Sequence, residues 1–247
     1  MRPFLFIAAL FMTACSSIYV PNTRNVPLFR GAGEAQASVY LTNGVDIQGA
    51  LSFTDNLAAI GSYSFLKQNE TDPTYTRKNS YGEFGLGYFK NERSHRLELF
   101  VGYGMGKGTS LANYYFYASD FGVNNIVATG TFSRIFIQPT IATNKKNFNV
   151  AFTPRISLVD FKEFTSTGPP APAAQKSEVT KTPDEKAYLF IEPALTGKFP
   201  LVGNLNGIFQ LGLAVPTNSD VYFDYEPLQL SLGIQLHVGG KLRTRVY

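Results

Sequence analysis

The stretch Leu228-Gln-Leu-Ser-Leu-Gly-Ile-Gln-Leu-His-Val238 decides the fold. Leu228, Leu230, Leu232, Ile234, Leu236 and Val238 fall on one parity, and Gln229, Ser231, Gly233, Gln235 and His237 on the other. In a strand, successive side chains point to opposite faces, so an unbroken period of two describes a strand with one oily and one polar side. The same pattern recurs upstream. Over Arg96–Met105, Leu97, Leu99, Val101, Tyr103 and Met105 oppose Arg96, Glu98, Phe100, Gly102 and Gly104. Over Phe148–Leu158, Phe148, Val150, Phe152, Pro154, Ile156 and Leu158 oppose Asn149, Ala151, Thr153, Arg155 and Ser157. No helical period of any length follows Glu34. The pattern predicts about ten strands, near 34–43, 45–54, 57–67, 79–90, 95–107, 127–143, 147–163, 186–198, 204–215 and 227–239, with eight or twelve as alternative counts.

The connections alternate in length. Short ones fall at 55–56, 91–94, 144–147 and 199–204. Longer ones fall at 68–78, 108–126, 164–185 and 216–226, with Asn43-Gly44 a short member of that second set. Short turns at one end and long loops at the other mark a transmembrane β-barrel. Composition agrees. Charged residues make up 16% of the 247, against roughly 25% in ordinary soluble domains, while the 21 Phe and 14 Tyr carry all of the aromatic content. All twelve Lys fall in turns, loops or strand ends. A soluble barrel would turn its polar face to water and use Lys there. Here the polar face carries Gly, Ser, Thr, Gln and a few charges of both signs, so the expected fold is all-β, a single antiparallel up-and-down barrel with its oily face outward. Tyr63, Phe65, Tyr103 and Phe148 are expected in interfacial girdles. Pro139, Pro154 and Pro193 fall inside strands on the outward parity, and local bulges are expected there because Pro removes a ladder donor.

The amino terminus carries a different signal. Met1-Arg2-Pro3 is followed by nine apolar residues, Phe4–Met12, then Thr13, Ala14 and Cys15. Nine residues suit a signal-peptide core and are too few for a spanning helix, which needs about 20. Small residues before a cysteine resemble the bacterial lipobox, although Met12 stands where Leu is usual. The resemblance implies cleavage before Cys15 and acylation of that residue; an ordinary secretory signal with an incidental Cys is the alternative. The stretch Cys15-Ser-Ser-Ile-Tyr-Val-Pro-Asn-Thr-Arg-Asn-Val-Pro-Leu-Phe29, with Gly33-Glu34 and an immediate hairpin, resembles the amino-terminal pattern of small outer-membrane β-barrel lipoproteins of the Bacteroidota type over about residues 12–66. That resemblance implies a location and a fold and transfers no catalytic residue. The organisation expected is a signal peptide over 1–14, a lipidated periplasmic tether over 15–33, and an outer-membrane barrel over 34–247, with the N-terminus anchored on the periplasmic side.

The chemistry expected is spare. One Cys excludes a disulfide framework, two His make a His-based metal centre improbable, and a net charge of +4 spread along the chain gives no nucleic-acid footprint. No cofactor is expected. His95 and His237 both fall at the short-turn end, which argues against an omptin-type protease or a lipid A-modifying enzyme working at the outer rim. Asp46, Glu83, Arg96, Glu98, Arg134, Arg155 and Glu192 share the inward parity and are expected to pair in the lumen as a plug, with a narrow polar pore as the alternative. The loop 111–121 contains Tyr114, Tyr115, Phe116, Tyr117 and Phe121, a candidate patch for a protein or glycan partner or a cover for the barrel mouth. Gly102-Tyr-Gly-Met-Gly-Lys-Gly108 is void as a phosphate loop because no helix follows it. The function expected is non-enzymatic, structural or surface-interacting, in contact with outer-membrane lipid and lipopolysaccharide. The rivals are the narrow pore and a periplasmic lipid-anchored soluble barrel that binds a hydrophobic ligand.

Overall fold

A computed structural model describes residues 17–69, 75–114, 124–167, 187–217, 223 and 225–239. Eleven strands form: β1 (Glu34–Leu41), β2 (Val45–Ser52), β3 (Leu57–Asn69), β4 (Tyr75–Asn91), β5 (His95–Tyr114), β6 (Asn124–Thr143), β7 (Asn149–Thr167), β8 (Tyr188–Pro200), β9 (Leu205–Leu213), β10 (Val215–Pro216) and β11 (Leu228–Gly239). From β1 to β9 each strand pairs antiparallel with its chain neighbours, and β11 pairs with β9 and returns to pair with β1, Glu34 opposite Gly239. β9 and the two-residue β10 run in succession along β8, so the wall has ten strands and is closed. Closure pairs every wall strand on both sides and removes the open edge that hydrocarbon would penalise by several kcal/mol per group.

The alternation translates directly into inside and outside. Leu230, Leu232, Ile234, Leu236 and Val238 are all exposed, whereas Gln229, Ser231 and Gln235 are buried. On β5, Leu97, Leu99, Val101, Tyr103 and Met105 point out and Arg96, Glu98 and Phe100 point in. The outside is therefore a continuous band of large aliphatics and aromatics, including Tyr63, Phe65, Tyr103 and Phe148. In water such a band would be an aggregation surface. Against lipid tails it is the stable face of a transmembrane barrel.

The prolines behave otherwise than expected. The bulge lies between Thr131 and Phe132, where β7 carries an extra residue. At Pro139 and Pro154 the register is kept on both sides, Ile137 opposite Ile156 and Ile141 opposite Phe152, and only the intervening ladder is interrupted. Pro154 in turn sits opposite Pro193, and the break between β9 and β10 falls at the same height. The lumen side supplies the missing connections. Arg155 donates from Nε and Nη2 to Gln138 Oε1 at 2.9 and 2.6 Å, and the Thr140 and Thr153 hydroxyls lie 3.0 Å apart. Side chains clip β6 to β7 where the backbone cannot.

The strands also outrun their expected ends on the long-loop side. β5 reaches Tyr114 and β6 begins at Asn124, so much of the expected 108–126 loop is wall.

Candidate functional site

The largest departure from the sequence reading lies inside the barrel. Residues 17–29, expected as part of an external tether, run inside the barrel. Ile18, Tyr19, Asn22, Thr23, Arg24, Asn25, Val26, Leu28 and Phe29 are all buried, and the segment crosses the lumen from the long-loop end to the short-turn end. At the loop end the Asn79 amide donates to Ile18 O at 2.9 Å, and Glu226 N donates to Tyr19 O at 3.0 Å. At mid-height Thr23 N donates to Asp46 Oδ2 at 2.6 Å, and Arg24 is fully buried. At the turn end Arg96 Nη1 donates to Leu28 O and Phe29 N donates to Glu98 Oε1. Leu28 adopts a left-handed backbone with φ of 60°, a conformation that strains a residue carrying a Cβ. It lies where the segment leaves the lumen to reach β1. The tether reading failed because Pro21 and Pro27 favour an extended chain without saying which side of the wall it runs on.

Inner-wall glutamines hold this extended segment as a neighbouring strand would. Gln210 accepts from Arg24 N at 2.8 Å and donates to Arg24 O at 3.0 Å, reproducing both halves of a ladder rung with one carboxamide. Gln48 donates to Thr23 O, Gln138 to Asn25 O and Gln229 to Pro21 O, at 2.7, 2.8 and 2.8 Å. Each such bond contributes about 0.5–1.5 kcal/mol net, and leaving the partner buried and unpaired would cost more. The Arg24 guanidinium donates to the carbonyls of Leu213, Asn22 and Glu192 and to Gln229 Oε1.

Four of the seven expected lumen charges meet in one belt. Glu83 is bound by Arg134, by Arg155 at 3.2 Å and by the Asn22 amide at 2.8 Å. Glu192 accepts from Tyr19 Oη at 2.5 Å and from Ser157 Oγ at 3.0 Å, with Arg134 Nη1 at 3.6 Å. Arg134 also lies 4.4 Å from the Tyr81 ring centre, and Arg155 4.5 Å from that of Phe136. The other three stand apart: Asp46 holds Thr23, while Arg96 and Glu98 lie at the turn end. Sequence reasoning missed Tyr19, Asn22 and Arg24, because the tether carried no expected site. It also missed the pairing of Arg77 with Glu226, which closes the loop end beside Asn43.

The glycine run on β5 has a steric role. A Cβ on Gly102 would lie 2.3 Å from the Phe136 ring, and one on Gly108 would lie 2.2 Å from Ile18 O. These glycines face inward and make room for the contents of the lumen.

Cys15 and the 1–14 signal segment lie outside the described residues, as do Tyr115, Phe116, Tyr117 and Phe121; Tyr114 is described only as the end of β5. The first described residues, Ser17 to Tyr19, lie at the end opposite the short turns. The two His do lie at the turn end. His95 Nδ1 is 3.0 Å from Ser94 Oγ and its Nε2 is 3.6 Å from Glu92, all on an exposed turn. His237 Nε2 is 3.2 Å from Glu34. Among the described residues no group of three or more His, Cys, Asp or Glu is placed to hold a metal ion.

No protein-family model matches the chain, and no curated protein matches it in sequence. Solved structures with a similar course are the KdgM porin and the translocator domain of the autotransporter NalP from Neisseria meningitidis. The porin is 9% identical, with 82% of this chain and 98% of that one covered at a TM-score of 0.35. The translocator is 10% identical, with 83% and 86% covered at a TM-score of 0.39.

Proposed function

We propose that this chain is a non-enzymatic outer-membrane β-barrel closed by its own N-terminal segment, with a structural or surface-presenting role. One observation carries the reading: residues 17–29 occupy the lumen from end to end, with their backbone hydrogen-bonded by the inner wall. A closed barrel with an oily outside belongs in a bilayer, in contact with outer-membrane lipid and lipopolysaccharide. Short turns in such barrels face the periplasm, which puts Ser17 at the cell-surface mouth.

Two measurements test this. Purified full-length barrel in planar bilayers is expected to show no steady ohmic conductance; a stable open level would overturn the plug in favour of a pore. An epitope inserted between Ser16 and Ser17 is expected to be reached by antibody on intact cells. Access only after permeabilisation would overturn the orientation.

A further inference from the structure

The turn end of the lumen contains a cavity of about 240 Å³, open to solvent on the short-turn side. Arg30, Arg96, Lys146, Lys198 and His237 line it beside Gln36, Asn149, Asn204, Asn206 and Gln235, and no carboxylate is among its lining residues. The deep cations are poorly matched. Lys198 is 6% exposed and Arg96 5% exposed, yet among the described residues neither has a carboxylate within ion-pairing distance. Lys198 donates only to Pro27 O at 3.3 Å and Gln235 Oε1 at 3.2 Å, so two neutral, distant acceptors serve an ammonium with three protons. Arg96 spends three of its N–H groups on Leu28 O and Asn144 Oδ1, leaving two of its five unengaged.

Two acids lie near these cations without lining the cavity: Glu98 accepts from Phe29 N through Oε1 and leaves Oε2 without a hydrogen bond, and Glu34 accepts from Arg30 N and faces His237. Buried charge is retained where it is paired or hydrogen-bonded. Buried cations with spare donors at the wall of an open polar cavity can therefore take a further acceptor from solution.

We infer that this cavity is a binding site for a small anion, a carboxylate or phosphate group held by Lys198 and Arg96, with Arg30 and Lys146 at the rim and the Asn and Gln side chains binding its polar remainder. The rim charges raise the local anion concentration, and the deep donors fix the ligand. The inference does not depend on whether the barrel is plugged or conducting.

Calorimetric titration of the full-length barrel in neutral detergent, with inorganic phosphate and separately with succinate, tests it, using chloride at matched ionic strength as the blank. Saturable binding of at least one of the two is expected. Lys198→Met is expected to weaken it about 10- to 100-fold, the loss of one charge-assisted hydrogen bond. Should that variant not fold, the exposed pair Arg30→Gln with Lys146→Gln, which touches no packed element, decides: about a three- to tenfold weakening is expected. Tighter binding of phosphate or of succinate identifies which anionic group the site takes. Absence of saturable binding by both anions, or binding unchanged in the variants, overturns the site.

Discussion

The two ends of the lumen are filled in different ways by the same ten strands. At the loop end Tyr81, Phe132, Phe161, Phe190 and Phe223 cluster around Tyr19 of the N-terminal segment, Tyr81 stacked on Phe132 with centroids 5.7 Å apart and Phe161 tilted against Phe223 at 4.5 Å. At the turn end one side is packed by Phe29, Phe89, Phe100 and Phe136, while the other carries Lys198, Arg96 and the open cavity. The inward parity is identical throughout, so parity cannot be what separates a sealed end from an open one. The size of the inward residues does. Large rings on β4, β6, β7 and β8 close the loop end, whereas Gln36, Gln235 and Asn206 leave the turn end wet. The belt of Glu83, Arg134, Arg155 and Glu192 lies between the two and fastens both to residues 19–22.

The strongest way to break this division is at the belt. Arg134→Met removes the cation shared by Glu83 and Glu192 and leaves two buried carboxylates short of a partner. A loss of about 3–5 kcal/mol is expected, read as a lowered urea midpoint in detergent micelles. Glu83 keeps Arg155 and Asn22, which places the expected value toward the lower end. A loss under about 1 kcal/mol would mean that water reaches the belt and the two ends are not separated.

A smaller effect is expected from disturbing the loop end alone. Gly108→Val puts a branched side chain where even a Cβ would meet Ile18 O at 2.2 Å. The carbonyl belongs to backbone, so the segment must shift, at about 1–3 kcal/mol for overpacking. Bilayer recordings of this variant are expected to show brief openings that the unaltered chain lacks. If stability falls and the lumen stays silent, the seal is made by the belt and not by the loop-end rings.

The wall was legible because period two survives any lipid, loop or ligand. The eleven residues from Leu228 gave their inside and outside without error, and β1, β2, β5 and β11 begin within a residue of their expected starts. What fills a barrel has no period. Ile18-Tyr19-Val20 and Val26-Pro27-Leu28-Phe29 read as an apolar stretch on either side of Asn22-Thr-Arg-Asn25, which suits a tether as well as a plug. A signal was present on the other side. Gln48, Gln138, Gln210, Gln229 and Gln235 all take the inward parity, and carboxamides that both donate and accept are the side chains able to pair with a backbone. The prolines misled for a related reason: the missing ladder bonds are replaced by Gln138–Arg155 and Thr140–Thr153, contacts between residues far apart in the chain.

The smallest effect expected is at an ion pair outside the lumen, and it isolates what burial adds. Lys90 Nζ lies 2.6 Å from Glu92 Oε1 at the turn after β4, with both side chains largely open to solvent. The hydrogen bond from Lys90, with its charge, holds the Glu92 carboxyl below the ordinary carboxylate range. A carboxyl depressed in the folded state contributes stability above its unfolded value, about 4.3, and that contribution is lost as pH falls through the folded one. Between pH 6 and 8 it should therefore be constant, and water and salt screen it nearly to nothing. Glu92→Gln is expected to unfold in urea with a midpoint indistinguishable from that of the unaltered chain at neutral pH, and acidification should narrow even that difference. A loss matching that of Arg134→Met would mean that pairing itself, and not exclusion from water, gives the belt its strength, and the contrast between lumen and turn would fall with it.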